Sequence, residues 1–253
     1  MPNDPLKEAR SVAPHPPLLR YYGEDYAREA FVQNLFDRTA GAYDGINSWA
    51  SFGLGNWYRR RTLQTAGIKA GMRVLDVAIG TGLVARQAAR LVGPHGSVVG
   101  IDISFKMLLR ARAMIDAPLL QGRAEQLPVR TTSVDAITMG YALRHVADLS
   151  DTFAEFYRVL RPGGRLLLLE IVRPKGRRGY ALAEIYLRRI VPMLAGITTR
   201  VDETRTLMRY FWDTIEHCVP AGAITQALRD AGFADVRNIN EFGVFVAYLG
   251  HKP

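Results

Sequence analysis

Residues 73–82 read RVLDVAIGTG, and about twenty residues after Gly82 a second apolar run, SVVGID at 97–102, ends on Asp102. Val74-Leu75-Asp76-Val77-Ala78 is the short apolar run expected of a strand buried on both faces of a parallel sheet. Gly80-Thr81-Gly82 then turns the chain into a helix predicted over 83–91, and the strand at 97–101 completes a strand-helix-strand unit. In open α/β sheets ligands bind at the carboxyl ends of strands, and the loop after the first strand is the usual nucleotide position. Here that loop is Ala78-Ile79-Gly80-Thr81-Gly82. Its glycines permit tight turning and close backbone approach, and the helix that begins after Gly82 offers free N–H groups. Asp102, at the end of the second strand, is placed to accept hydrogen bonds from both hydroxyls of a ribose; the alternative is a plain surface acid.

Gly80-Thr81-Gly82-Leu83-Val84-Ala85 is also a G-x-G-x-x-A string, which suits NAD equally well. Asp76 separates the two cofactors. It sets a carboxylate where a pyrophosphate would lie and would repel it, whereas the α-ammonium of a methionine tail is stabilised there. The expected cofactor is therefore S-adenosyl-L-methionine, although Asp76 bonding only to loop amides is a second reading. Met107 covers the adenine face in one reading and fills the core in another.

Working outward, strands are predicted near 118–121 and 134–139, a helix at 149–160, and a strand at 165–171 introduced by Pro162-Gly163-Gly164. Aromatic-rich helices follow at 180–194 and 204–218, then a helix at 223–231 stopped by Gly232. Two closing strands near 236–240 and 244–249 are joined by so short a link, about 241–243, that an antiparallel hairpin is expected. The fold class is Rossmann-like doubly wound α/β. Residues 1–30, rich in proline and charge, read as an arm laid on the surface or partly disordered. Residues 31–70 read as short helices contributing to a substrate lid, and residues 71–253 as the main domain with a cap insert at about 175–220.

The 253-residue chain is 48% hydrophobic and 23% charged, ordinary globular composition, with a formal net charge of +9. Basic residues gather at Arg59-Arg60-Arg61, 175–178 and Arg188-Arg189 without the long run of a nucleic-acid arm, so no nucleic-acid partner is expected. A solvated basic surface is the favoured reading over a lipid-facing patch. Cys218 is the single cysteine, which leaves no internal disulfide and no cysteine-based zinc site, and with an already electrophilic methyl donor no metal is expected. The first twenty residues lack a signal core, and no apolar run approaches the roughly 18 residues of a membrane span. A cytoplasmic location is expected.

Four blocks carry a family resemblance. Residues 40–60, AGAYDGINSWASFGLGNWYRR, contain Tyr43-Asp44, Asn47 and Ser51-Phe52-Gly53; residues 74–82, VLDVAIGTG, include Ala78; residues 138–146 read TMGYALRHV; and residues 160–170 read LRPGGRLLLLE. With Ala124-Glu125-Gln126-Leu127-Pro128, these resemble class I methyltransferases, most closely the ubiquinone/menaquinone biosynthesis C-methyltransferase (UbiE type) family, over roughly residues 36–249. The resemblance implies a seven-stranded sheet whose last strand runs antiparallel. It also implies S-adenosylmethionine contacts from Thr81, Asp102, the Arg123-Ala124 pair and Gly140. With Asp76, Ala78, Gly80, Gly82 and Met107 these complete the cofactor set. The chain departs from the family pattern at Ile79, usually glycine; at Ala142-Leu143-Arg144-His145, usually Gly-Leu-Arg-Asn; and in detail over 209–220.

The sulfonium methyl is already electrophilic, so the protein must align a small-molecule acceptor and help remove its proton. For carbon methylation beside a phenolate, Arg144 is the candidate cation, as the resemblance also implies; its alternative is a structural ion pair. His145 is the candidate base, its alternative a helix-start or surface histidine. Tyr43, Tyr141, Tyr210 and Trp212, with Phe211, either line an aromatic acceptor pocket or pack in the core. The apolar stripe of 180–194 reads as core more readily than as a greasy cap resting on a membrane. Peripheral membrane contact and a homodimer are both compatible with the sequence. Alternatives to carbon methylation of a small aromatic or quinol-like acceptor remain: O- or N-methylation of a specialised metabolite or lipid headgroup, or a cofactor-binding partner without catalysis. A NAD-dependent oxidoreductase is disfavoured by Asp76 and by the lack of a Tyr-x-x-x-Lys pair after strand four.

Overall fold

The computed structural model describes residues 11–41, 43, 45, 54–191, 193 and 201–253. Among them one sheet contains β1 (Arg73–Val77), β2 (Ser97–Asp102), β3 (Leu119–Gln121), β4 (Val134–Gly140), β5 (Leu160–Ile171), β6 (Ala234–Glu241) and β7 (Phe245–His251), in the order β3-β2-β1-β4-β5-β7-β6. The pairs β1–β2, β2–β3, β1–β4 and β4–β5 are parallel, while β7 runs against both β5 and β6. The doubly wound sheet with one antiparallel strand is thus as expected, including the closing hairpin. The strand order reverses between β1 and β4, which makes the crevice beyond their carboxyl ends the topological place for a ligand.

Period-two alternation sends the strand side chains to two cores. On one face Leu75, Val77, Ile137, Met139, Leu166 and Leu168 meet Phe153 and Phe156 of a helix; on the other Val74, Ala136, Leu167 and Leu169 meet Ala85 and Ala88 of another. Those helices are α6 (Leu149–Val159) and α4 (Leu83–Val92), with α5 (Phe105–Met114) following β2. The small residues Ala85 and Ala88 bring α4 close to the sheet. Side-chain caps set two helix starts: Ser104 accepts from Met107 N–H at the head of α5, and Asp148 from Asp151 N–H at the head of α6.

A third apolar layer lies apart from the two sheet cores. Leu18, Tyr22, Val32 and Leu35 pack with Leu187, Leu207, Met208, Tyr210, Trp212 and Ile215. It joins α1 (Leu19–Tyr22) and α2 (Arg28–Thr39) to α7 (Arg177–Ile185), its π-helical extension over Tyr186–Ile190, and α8 (Val201–His217). The helix α3 (Gly55–Thr65) packs on α4, and α9 (Ala221–Asp230) leads into β6. The N-terminal segment is tied down from residue 12: the carbonyls of Val12 and Pro14 accept from the N–H groups of Leu149 and Val219, each at 2.9 Å.

The structure differs from the sequence reading in detail. β5 begins at Leu160 rather than 165, because Leu160 pairs with Val134 before an irregularity at the Pro162-Gly163-Gly164 turn. The stripe read as core over 180–194 is divided: Leu187 and Val191 are buried, whereas Leu182 and Ile185 stand 69% and 47% exposed beside the exposed Arg178 and Arg189. The start of the arm (residues 1–10), Asp44, Asn47 and residues 51–53 of the first family block, and residues 194–200 of the cap lie outside the described residues. No helix among the described residues is long and apolar enough to cross a membrane.

Candidate functional site

The loop after β1 is built from left-handed backbone. Ala78, Gly80 and Gly82 have φ of 53°, 56° and 89°, conformations that glycine adopts without strain and alanine does not. Ile79 N–H bonds to the Ile101 carbonyl and Gly82 N–H to the Ile79 carbonyl, so the loop folds back over the end of β2 before α4 begins. The side chain of Ile79 goes into the core under α4. Gly80 N–H donates to one oxygen of Asp102 and Ser104 N–H to the other, each at 2.8 Å. The carboxylate is thereby held with one further acceptor direction on each oxygen, as two neighbouring hydroxyls require. Burial pushes the Asp102 carboxyl up to about 6.

Asp76 occupies the fourth position of β1 and is buried. Thr138 Oγ1 on β4 donates to its Oδ1 at 2.6 Å, and its Oδ2 has no hydrogen-bond partner. Burial pushes this carboxyl up to about 7. Two desolvated carboxyls against one cavity are a poor arrangement in isolation and a good one for a cation. The donor set therefore fits the expected ligand, with hydroxyls at Asp102 and a positive tail at Asp76.

The cavity, about 300 Å³, runs along the carboxyl ends of β1, β2 and β4. Asp76, Ala78, Gly80, Thr81, Asp102, Met107, Arg123, Ala124, Gly140, Tyr141 and His145 all line it. Arg28, Val32, Phe36, Tyr43 and Arg59 close it from the helical layer. A Cβ at Gly140 would lie 2.7 Å from Val84 Cγ2, so glycine is required for β4 to end this close to α4. Met107 is both core and wall, and Arg123 makes an ion pair with Glu29 at 2.6 Å. Of the residues singled out in the sequence, Gly82, Arg144, Tyr210, Phe211 and Trp212 are not on the cavity wall. Gly82 is instead the residue that opens α4, and Trp212 packs on Tyr180 at 5.4 Å between ring centroids.

Arg144 and His145 are neighbours in one 3-10 turn and face different surroundings. Arg144 is fully buried and forms an ion pair with Glu170 of β5; its Nε approaches Thr214 Oγ1 at 3.4 Å, and its guanidinium lies 4.6 Å over the Phe211 ring. His145 stacks on Tyr210 at 5.5 Å, with Phe36 edge-on at 5.3 Å. Neither of its ring nitrogens has a hydrogen-bond partner. Burial, with the charges of Arg144, His15 and Arg28, holds this imidazole well below the usual histidine range, so it is neutral. Tyr210 thus meets the cavity through His145 rather than directly.

Two arginines on the wall were not anticipated. Arg28 and Arg59 are only 6% and 5% exposed, and Arg59 lies 5.6 Å over the Tyr141 ring. Burial raises the Tyr141 phenol to about 12. A usable signal existed for Arg28, since 28, 32 and 36 share one helical stripe in which the other two members are apolar. For Arg59 there was none, because a run of three arginines reads as surface.

A model of the ubiE/COQ5 methyltransferase family matches residues 24–252. The chain is 31% identical over 233 residues to the ubiquinone/menaquinone biosynthesis C-methyltransferase UbiE of Pasteurella multocida (strain Pm70), covering 89% of this chain and 86% of that protein. To the protein of the same name from Pseudomonas aeruginosa (strain LESB58) it is 33% identical over 230 residues, covering 88% and 89%. Among solved structures, a SAM dependent methyltransferase from Aquifex aeolicus shares the fold at a TM-score of 0.57 and 19% identity, over 78% of this chain and 90% of that one.

Proposed function

The chain belongs to the ubiE/COQ5 methyltransferase family and takes its methyl group from S-adenosylmethionine; from that premise we propose that the acceptor is a quinol-like aromatic ring methylated at carbon. The observation that carries this is His145, a neutral imidazole without a partner, set among the aromatic walls Phe36 and Tyr43 in the same cavity as the two carboxyls. When bound, S-adenosylmethionine supplies an electrophilic methyl carbon. Asp102 would hold the ribose hydroxyls, Asp76 would face the α-ammonium and Arg59 the carboxylate, and Met107, Arg123 and Ala124 would flank the adenine. Thr81, Gly80 and Gly140 line the same cavity. A ring carbon that has accepted a methyl group still carries a hydrogen, and loss of that proton restores aromaticity. We assign that proton to the neutral imidazole of His145.

Incubation with S-adenosylmethionine and a ring-demethylated quinol is expected to give a product one methyl heavier, whose proton NMR shows a methyl on ring carbon. A methoxy signal would overturn carbon methylation while leaving methyl transfer intact.

The two carboxyls make cofactor binding pH-dependent. Without ligand, Asp76 is protonated below about 7 and Asp102 below about 6. A ligand carrying sulfonium and ammonium charges favours both ionised forms, so binding at pH 6 releases protons and affinity rises from pH 5.5 towards 7.5. Calorimetry in two buffers of different ionisation enthalpy measures this directly. Asp76→Asn is expected to flatten the rise near pH 7, and Asp102→Asn to weaken binding about tenfold, the scale of one charge-assisted hydrogen bond. Affinity independent of pH, with no buffer dependence of the heat, would sink the assignment.

A further inference from the structure

The cavity wall carries a cation that the cofactor residues do not use. Arg28, at the start of α2, is buried and lines the cavity. Its Nη2 donates to His15 Nε2 and to the Arg144 carbonyl, both at 3.2 Å, and its Nε is buried with no hydrogen-bond partner. Among the described residues no carboxylate forms an ion pair with it. Glu29, the next residue, is engaged by Arg123.

Both protein partners of Arg28 are neutral. His15 Nδ1 lies 2.7 Å from the Pro16 carbonyl and can only donate to it, which leaves Nε2 as a bare acceptor in the neutral ring. Burial lowers the His15 imidazole to about 4, so it stays neutral across the physiological range. A desolvated guanidinium held only by dipoles is costly, and an anion from outside relieves that cost. Arg144, the other buried cation nearby, is already neutralised by Glu170 and is off the wall.

We propose that Arg28 binds the ionised ring hydroxyl of the acceptor and so selects phenols that react as phenolates. This rests on the aromatic, hydroxylated acceptor of the preceding section. Nη1 makes no hydrogen bond to the described residues and, unlike Nε, is not a buried atom, so it is the N–H group that an anionic oxygen in the cavity can reach. A phenolate oxygen held here enriches the adjacent ring carbon in electron density, with neutral His145 on the same wall to receive the proton that leaves it.

The test uses 4-nitrophenol, whose phenolate absorbs visible light, with benzoate as the carboxylate comparison, on the full chain loaded with S-adenosylhomocysteine. The wild type is expected to lower the ionisation pKa of bound nitrophenol by at least about one unit, the scale of a nearby opposite charge. Arg28→Gln is expected to abolish that shift and weaken phenolate binding at least about tenfold, while calorimetry shows unchanged S-adenosylhomocysteine affinity. Arg28→Lys, which keeps the charge, is expected to retain part of the shift and guards against a folding defect in the glutamine variant. An identical shift in wild type and Arg28→Gln overturns the role of Arg28 and leaves the aromatic reading standing. Benzoate binding that depends on Arg28 and exceeds that of the phenolate overturns the phenol selection. If the wild type takes S-adenosylhomocysteine but neither probe, the aromatic acceptor itself is refuted.

Discussion

Replacing His145 by phenylalanine is expected to lower kcat for the aromatic acceptor by about 100-fold or more, the lower range for removing a positioned base. Phenylalanine preserves the stack on Tyr210 and the edge contact with Phe36 and deletes only the ring nitrogens. Cofactor affinity and melting temperature are therefore expected to hold. The pH profile adds a second readout. A base works while neutral, and burial with the surrounding charges of Arg144, His15 and Arg28 keeps this imidazole neutral until well below pH 6.5. The acidic limb assigned to His145 should fall below that pH and vanish in the variant. Steady-state turnover from pH 5 to 8 measures both; an undiminished kcat in the phenylalanine variant removes His145 from the chemistry.

Glu170→Ala is expected to destabilise the fold by about 3–5 kcal/mol, the range for leaving one member of a buried ion pair uncompensated. Arg144 and Glu170 are 0% and 2% exposed, so water cannot solvate the orphaned guanidinium. Glu170 also accepts from Leu143 N–H at 2.7 Å, and Arg144 reaches Thr214 and Phe211, so the pair ties the turn after β4 to β5 and α8. At about 2–4 °C per kcal/mol for a chain of this size, the melting temperature should fall by roughly 10 °C. Replacing both partners by apolar residues, Arg144→Met with Glu170→Leu, should recover much of that loss. The double variant also reports on Arg144 itself. With Arg28 as the acceptor's cation, the refolded double variant largely retains turnover. A folded double variant whose kcat falls as far as that of His145→Phe would return the acceptor's charge partner to Arg144.

That Asp76, the glycine loop and Asp102 come together on one cavity was legible because the determinants are local. Asp76, the 78–82 loop and Asp102 lie on consecutive elements of one βαβ unit, and the geometry of that unit places them together. The closing hairpin was legible for the same reason, since a link of a few residues leaves two strands little choice but to pair. Arg144 and His145 show where local reading ends. In a 3-10 turn successive residues point about 120° apart, so neighbours in sequence face different partners, one Glu170 and the other the cavity. The sequence marks both as interesting and cannot say which faces inward. Arg59, Arg60 and Arg61 repeat the lesson on a helix, where 100° steps bury the first and leave the others in water.

By itself the sequence determined the sheet, the order of its central unit, the glycine loop and the acid that follows it, together with the class of cofactor they hold. All of these depend on short apolar runs and short-range turn chemistry, which are written along the chain. The tertiary structure alone decided which charges reach the cavity. Arg28 reaches the cavity because α2 is packed against α8 across a layer whose contacts join residues far apart in sequence. Whether an arginine there is a solvated surface charge or a desolvated anchor is set by what covers it, and what covers it comes from elsewhere in the chain.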